Sequence, residues 1–102
     1  MPPLPIPHLQ FLILSELVNG EAAGHELRAM LDEEGQRKTG PAFYQLMARL
    51  EDAKLVKGKY RNTDVDGQIV RERRYEITGG GRRAVQAYLE FAARRAGLAW
   101  EG

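Results

Sequence analysis

The chain has 102 residues, 43% of them hydrophobic and 28% charged, with a formal net charge of +1. That length suits one compact domain with a small core and is too short for two. It contains no cysteine, which removes disulfides, thiolate metal sites and a cysteine nucleophile and fits a reducing compartment. The longest apolar run, Phe11 to Leu14, falls far short of a membrane span, and the N-terminus lacks the basic start and long apolar stretch of a signal peptide. The expected location is the cytoplasm, away from membranes. Catalysis finds no support. Ser15 is the only serine and sits in an apolar helical segment, and His8 and His25 are seventeen residues apart. No nucleophile and base pair is visible, and neither His25 and Glu26 nor Asp32, Glu33 and Glu34 show a metal-ligand spacing. No enzyme, cofactor or metal is expected.

The opening Met-Pro-Pro-Leu-Pro-Ile-Pro cannot start a helix, because each proline lacks a donor and restricts its predecessor; an extended arm is expected. From His8 to Val18, Leu9, Leu12, Ile13 and Leu17 recur at helical spacing until Asn19-Gly20 closes a first helix. Ala23, Leu27, Met30 and Leu31 mark a second, from about Glu21 or Ala22 to Glu34, with Gly35 as its stop. The polar turn Gln36 to Pro41 leads into a third, with Thr39 or Gly40 as cap and Pro41 at the first helical position. Its apolar positions Phe43, Leu46, Met47 and Leu50 leave Ala42, Gln45, Arg49 and Asp52 on the opposite face and Tyr44 at the margin.

After Lys54 the period changes. Leu55 to Arg61 and Gln68 to Ile77 are rich in β-branched and aromatic residues, and Asn62 to Gly67 between them has a strong turn composition, so a hairpin is predicted. Thr78 and three glycines are expected to end it. Val85, Tyr88, Leu89, Ala92 and Ala96 then lay a stripe along a last helix of about residues 81 to 96. The division expected is 1–80 for the main domain with its arm and 81–102 for a C-terminal helix.

A two-stranded ribbon is marginal alone and must lie against the helices, so the order helix, helix, helix, hairpin, helix implies a mainly α, α+β winged helix-turn-helix. In that fold the third helix lies in the major groove of DNA with its N-terminal residues nearest the bases. Here those are Lys38 to Gln45. Gln45 can pair with adenine, Lys38 and Arg49 can reach phosphate, and Thr39 and Tyr44 offer hydroxyls, with Ala42 on the same face. Tyr44 reads equally as a half-buried packing residue, and Gln45 and Arg49 as a solvated face. Residues 54 to 83 carry nine cations against four acids, a net of +5, whereas residues 1 to 53 sum to −4. Arg61, Arg71 and Arg73 on the hairpin are candidates for the backbone or minor groove, with the choice among them open.

Several stretches together resemble the PadR-like family of transcriptional regulators from about Leu9 to Tyr88. Phe11 to Leu17 followed by Gly24-His25-Glu26-Leu27 is similar to its first helix and its Gly-Tyr-Glu-Ile entry to the second. Gly40 to Val56 resembles its recognition helix, whose tyrosine falls on Tyr44. Arg73 to Arg83 resembles its second wing strand and Tyr-x-Leu-Thr-x-x-Gly signature, with Tyr75, Thr78 and Gly81 in register. Position 25 is His where the family favours Tyr, which makes His25 an expected packing substitute, and position 54 is Lys where it favours Gly. The resemblance implies a regulator, usually a repressor, in which the C-terminal helix and the N-terminal part build a homodimer. Leu4, Ile6, Tyr88, Leu89, Phe91 and Ala92 are the corresponding dimer candidates; an intramolecular stripe explains Tyr88 and Leu89 equally well. Double-stranded DNA and a second copy are thus the expected partners. A small aromatic effector between protomers, near Tyr88, Phe91 and Trp100, is a further one. The rival reading is a winged helix that docks on another protein and binds no DNA.

Overall fold

A computed structural model of the chain describes residues 6–97. Leu4 and Trp100, named above for the dimer and the effector, lie outside the described residues, as does most of the expected arm. The elements run α1 (His8–Leu17), β1 (Ala22–Ala23), α2 (Gly24–Glu33), α3 (Gly40–Asp52), β2 (Val56–Val65), β3 (Gln68–Ile77) and α4 (Gly79–Arg95). Three helices, a long antiparallel hairpin and a closing helix make a winged helix. No described helix is long and apolar enough to cross a membrane.

The helical periodicities build the core as expected. Ile13, Leu14 and Leu17 of α1, Leu27 and Leu31 of α2, and Phe43, Met47 and Leu50 of α3 are almost wholly excluded from solvent. They meet Val56 and Tyr75 from the wing's base, while Leu9, Leu12, Met30 and Leu46 flank them half-buried. Burial of this apolar surface is the main stabilising term, and every described buried side-chain polar atom has a partner.

Four details depart from expectation. Ala22 and Ala23 belong to a strand and not to α2: they pair with Tyr75 and Arg74 and make the sheet three-stranded in the order β1-β3-β2. Two alanines show no alternation, so the pairing partner alone makes them a strand. Ala23 then serves as the extended residue before α2, its N–H donating to Glu26 Oε1 at 3.4 Å. The wing's turn is also shorter than its composition suggests. Asn62 to Val65 stay in register with Gln68 to Arg71, which leaves only Asp66 and Gly67 to reverse the chain, at φ 53° and 81°. Both angles positive is the two-residue reversal that follows strand twist, and Asp64 Oδ1 accepts the Gly67 N–H at 2.9 Å to hold it.

Third, the glycines after Thr78 do not separate wing from helix. Thr78 caps α4 by accepting the Gly81 N–H at 3.0 Å, so Gly79 to Gly81 form its first turn. Along α4, Ala84 and Val85 pack on the core and Ala93 is buried, whereas Ala92 and Ala96 are exposed. Fourth, Thr39 caps α3, accepting the Ala42 N–H at 3.3 Å, so that Pro41 is second in the helix and not first. At the other end, Lys54 adopts the left-handed conformation, φ 60°. Its N–H donates to Glu51 O and that of Leu55 to Leu50 O, both at 2.9 Å, closing the helix in the manner usual for glycine. Thr78 Oγ1 donates to Lys54 O at 2.7 Å and ties this strained corner to the start of α4.

Candidate nucleic-acid interface

The exposed side of α3 divides into two flanks. On one, Lys38, Ala42, Gln45 and Arg49 line a shallow groove of about 210 Å³ with Leu9 and Leu46. On the other, Tyr44 faces the wing across a cleft of about 300 Å³ whose walls include Gly24, His25, Val70, Arg71 and Arg73. Tyr44 is 46% exposed and stands edge-on to the buried Phe43, with ring centroids 5.1 Å apart. Its hydroxyl reaches over the start of α2: a Cβ on Gly24 would lie 3.1 Å from it, so glycine there leaves the tyrosine its place. Thr39 Oγ1 is used as an acceptor by the cap, and its own proton remains to donate.

The wing separates its cations into two kinds. On one face Lys59 Nζ lies 2.8 Å, Arg74 Nε 3.0 Å and Arg61 Nη1 3.7 Å from the Glu21 carboxylate. Arg74 also reaches Glu72 at 3.0 Å and Glu26 at 3.6 Å, and Glu72 takes His25 Nε2 at 2.7 Å. Hydrogen bonds from Lys59 and Arg74 hold the Glu21 carboxyl below its ordinary pKa, and those from His25 and Arg74 do the same for Glu72. The net of +5 counted along residues 54 to 83 is therefore partly neutralised by acids from the first half of the chain. His25, expected as a packing residue, is instead an exposed partner of the wing.

On the other face only one of two arginines meets a carboxylate. Arg71 lies over the exposed Tyr60 ring at 3.9 Å, and Arg73 over the same ring at 4.7 Å. Arg73 also bridges to Glu51 of α3 at 2.5 Å, which fixes the wing to the third helix. Burial pushes the neighbouring Tyr75 phenol upward, with Arg73 opposing the shift. Among the described residues no carboxylate pairs with Lys38, Arg49 or Arg71. At the wing's tip the exposed side chains include Val65, Ile69 and Val70 beside Asp64 and Asp66, so the wing's cations lie along the strands and not at the tip.

Arg61, Arg71 and Arg73 thus have three different surroundings. Tyr60 and Glu51 were invisible as parts of the site; the signal would have been the register that sets Tyr60 opposite Arg73. Of the dimer candidates, Tyr88 stacks on Phe11 with centroids 4.0 Å apart, and its hydroxyl meets His8 Nδ1 at 3.1 Å. Ile6 packs half-buried against the core and Leu89 is half-buried, while Phe91 and Ala92 face outward.

No family profile and no curated protein matches the chain by sequence. Solved structures match it in fold. A PadR family transcription regulator from Clostridium difficile superposes with a TM-score of 0.72 at 22% identity, over 89% of this chain and 92% of that one. The chain has the fold of PadR regulators. A Streptococcus transcriptional regulator is similar with a TM-score of 0.72 at 21% identity, over 87% of this chain and 85% of that one. Bacillus subtilis PadR in complex with operator DNA gives 0.65 at 24% identity, over 81% of this chain and 47% of the longer PadR chain. With that fold assigned, α2 and α3 are its helix-turn-helix and β2-β3 its wing.

Proposed function

We propose that the protein is a cytoplasmic DNA-binding transcriptional regulator, a repressor acting as a homodimer, with α3 in the major groove and the wing on the backbone or minor groove. The observation that carries this is the open face of α3: Lys38, Thr39, Ala42, Tyr44, Gln45 and Arg49 present amide, hydroxyl and unpaired cationic groups to solvent beside Arg71 of the wing. A phosphate-lined groove supplies the missing anions, and Gln45 supplies a bidentate pair for a base edge. The likeness to a PadR seen with operator DNA supports the same reading.

Binding to duplex DNA across a salt series tests it. Arg71→Ala is expected to weaken binding to every sequence and to lower the slope of log affinity against log salt by about 0.9 per protomer bound. Gln45→Ala should leave the slope and shift preference among operators by about 1–3 kcal/mol per base pair that the glutamine reads. No binding to any duplex at low salt would favour a protein-docking winged helix instead. Arg73→Ala is a poorer probe, because it also unfastens the wing from Glu51.

For the dimer, the outward Phe91 and Ala92 on α4 are the apolar surface offered to a second copy, and Leu4, Ile6, Tyr88 and Leu89 are the further candidate contacts. Light scattering at micromolar concentration should give twice the chain mass of 11.5 kDa; a monomer would remove the paired-groove mechanism, which needs half-sites about 34 Å apart. An aromatic effector seated near this interface would change that spacing and release DNA. Quenching of Trp100 fluorescence together with loss of operator affinity is its expected signature.

A further inference from the structure

The outer surface of α2 carries cations that the recognition face does not include. His25, Arg28, Ala29 and Asp32 recur at spacings of three and four, and so share one exposed side of the helix. The turn after α2 brings Arg37 and Lys38 to that side, and the six residues line an open cleft of about 280 Å³. Arg28 extends from α2 to the start of α3. Its Nη2 lies 3.5 Å from the Lys38 carbonyl oxygen, which accepts from it, and its Nη1 is 3.7 Å from where a Cβ on Gly40 would stand.

Three permanent cations therefore gather around one carboxylate, Asp32, and among the described residues none of the three pairs with it or with any other acid. On the wing's neutralised face, by contrast, the cations are paired: Glu21 takes Lys59, Arg61 and Arg74, and Arg74 also reaches Glu72 and Glu26. Like charges held together in excess of their counter-charge repel one another, and a polyanion relieves that repulsion while releasing its own counterions. Lys38 lines both this cleft and the groove along α3, so the cationic surface runs unbroken from the proposed base-reading face onto α2. Guanidinium forks suit phosphate geometry better than a point charge does.

We infer that Arg28 and Arg37 form a second phosphate-binding surface, which holds the duplex backbone at the side of the groove that α3 enters. The inference rests on the DNA-binding reading above and extends it to residues outside the recognition helix and wing. The test uses the full chain and a labelled mixed-sequence duplex of about 30 base pairs, long enough for two adjacent half-sites. The double variant Arg28→Ala/Arg37→Ala should lower the slope of log affinity against log salt by about 1.8 per protomer bound, from about 0.9 for each phosphate no longer neutralised. Arg28→Lys/Arg37→Lys should retain most of the slope, and both variants should melt with the wild-type protein. An alanine variant with the wild-type slope overturns the second surface and leaves the DNA-binding reading intact. A lysine variant as weak as the alanine one, or one that melts early, assigns the loss to packing and overturns it too. Wild-type protein that binds no duplex discards both readings.

Discussion

Phe43→Ala is expected to lower the free energy of unfolding by about 4 kcal/mol. Phe43 is 0% exposed and packs among the apolar residues of α1, α2 and α3. Truncation removes its transfer free energy and leaves a cavity that the surrounding close-packed core closes only in part. Against a total stability of about 5–15 kcal/mol for a domain of this size, the loss removes from about a quarter to most of it. Urea unfolding followed by circular dichroism should show a lower midpoint with an unchanged slope. The neighbouring Tyr44 rests edge-on against Phe43, so the proposed DNA face should lose its order along with the core. A cost below about 1 kcal/mol would mean that the site collapses freely, contrary to the close packing around Phe43.

Gly81→Ala should cost about 3 kcal/mol, a large effect for one methyl group. A Cβ there would lie well inside van der Waals contact of the Leu55 carbonyl oxygen and 2.6 Å from Ile77 Cγ1. The first obstacle is backbone, so relief requires α4 to move away from the end of α3 and the base of the wing. That carbonyl also accepts the Thr78 N–H at 3.1 Å, which couples the clash to the α4 cap. Gly79→Ala is the internal comparison: a Cβ there meets only the far end of the Arg83 side chain, at 3.4 Å. Helix propensity should then make Gly79→Ala neutral or stabilising by up to about 1 kcal/mol. Equal effects of the two substitutions in thermal melting would show that close approach is not what position 81 requires.

The two glycines illustrate how far the sequence could be read. A run of three after a threonine looks like a break between wing and helix, and only the position of Leu55, twenty-six residues earlier, shows that the run is a helical first turn pressed against backbone. Lys54 is similar. Its place after α3 was legible, but its left-handed conformation depends on the Leu50 and Glu51 carbonyls above it. The short β1 escaped altogether, since two alanines carry no period and acquire strand character only from β3 beside them.

By itself the sequence determined α1, α2 and α3, because each buries one face and a periodic face is a local property of the chain, whereas the mostly exposed wing strands were marked by β-branched and aromatic composition around a turn. It also placed the polar side of α3, Lys38 to Arg49, since the face opposite Phe43, Met47 and Leu50 has to be solvated. Which charges remain available was decided only by the tertiary structure. Pairing energy depends on separation in space, and folding brings Glu21 and Glu51 of the acidic half onto Lys59, Arg61, Arg74 and Arg73 while leaving Arg28, Arg37, Lys38 and Arg71 without a carboxylate among the described residues. A segment of +5 along the chain thus became a neutralised wing face on one side and, on the other, a cationic surface built partly from the half whose charge sums to −4.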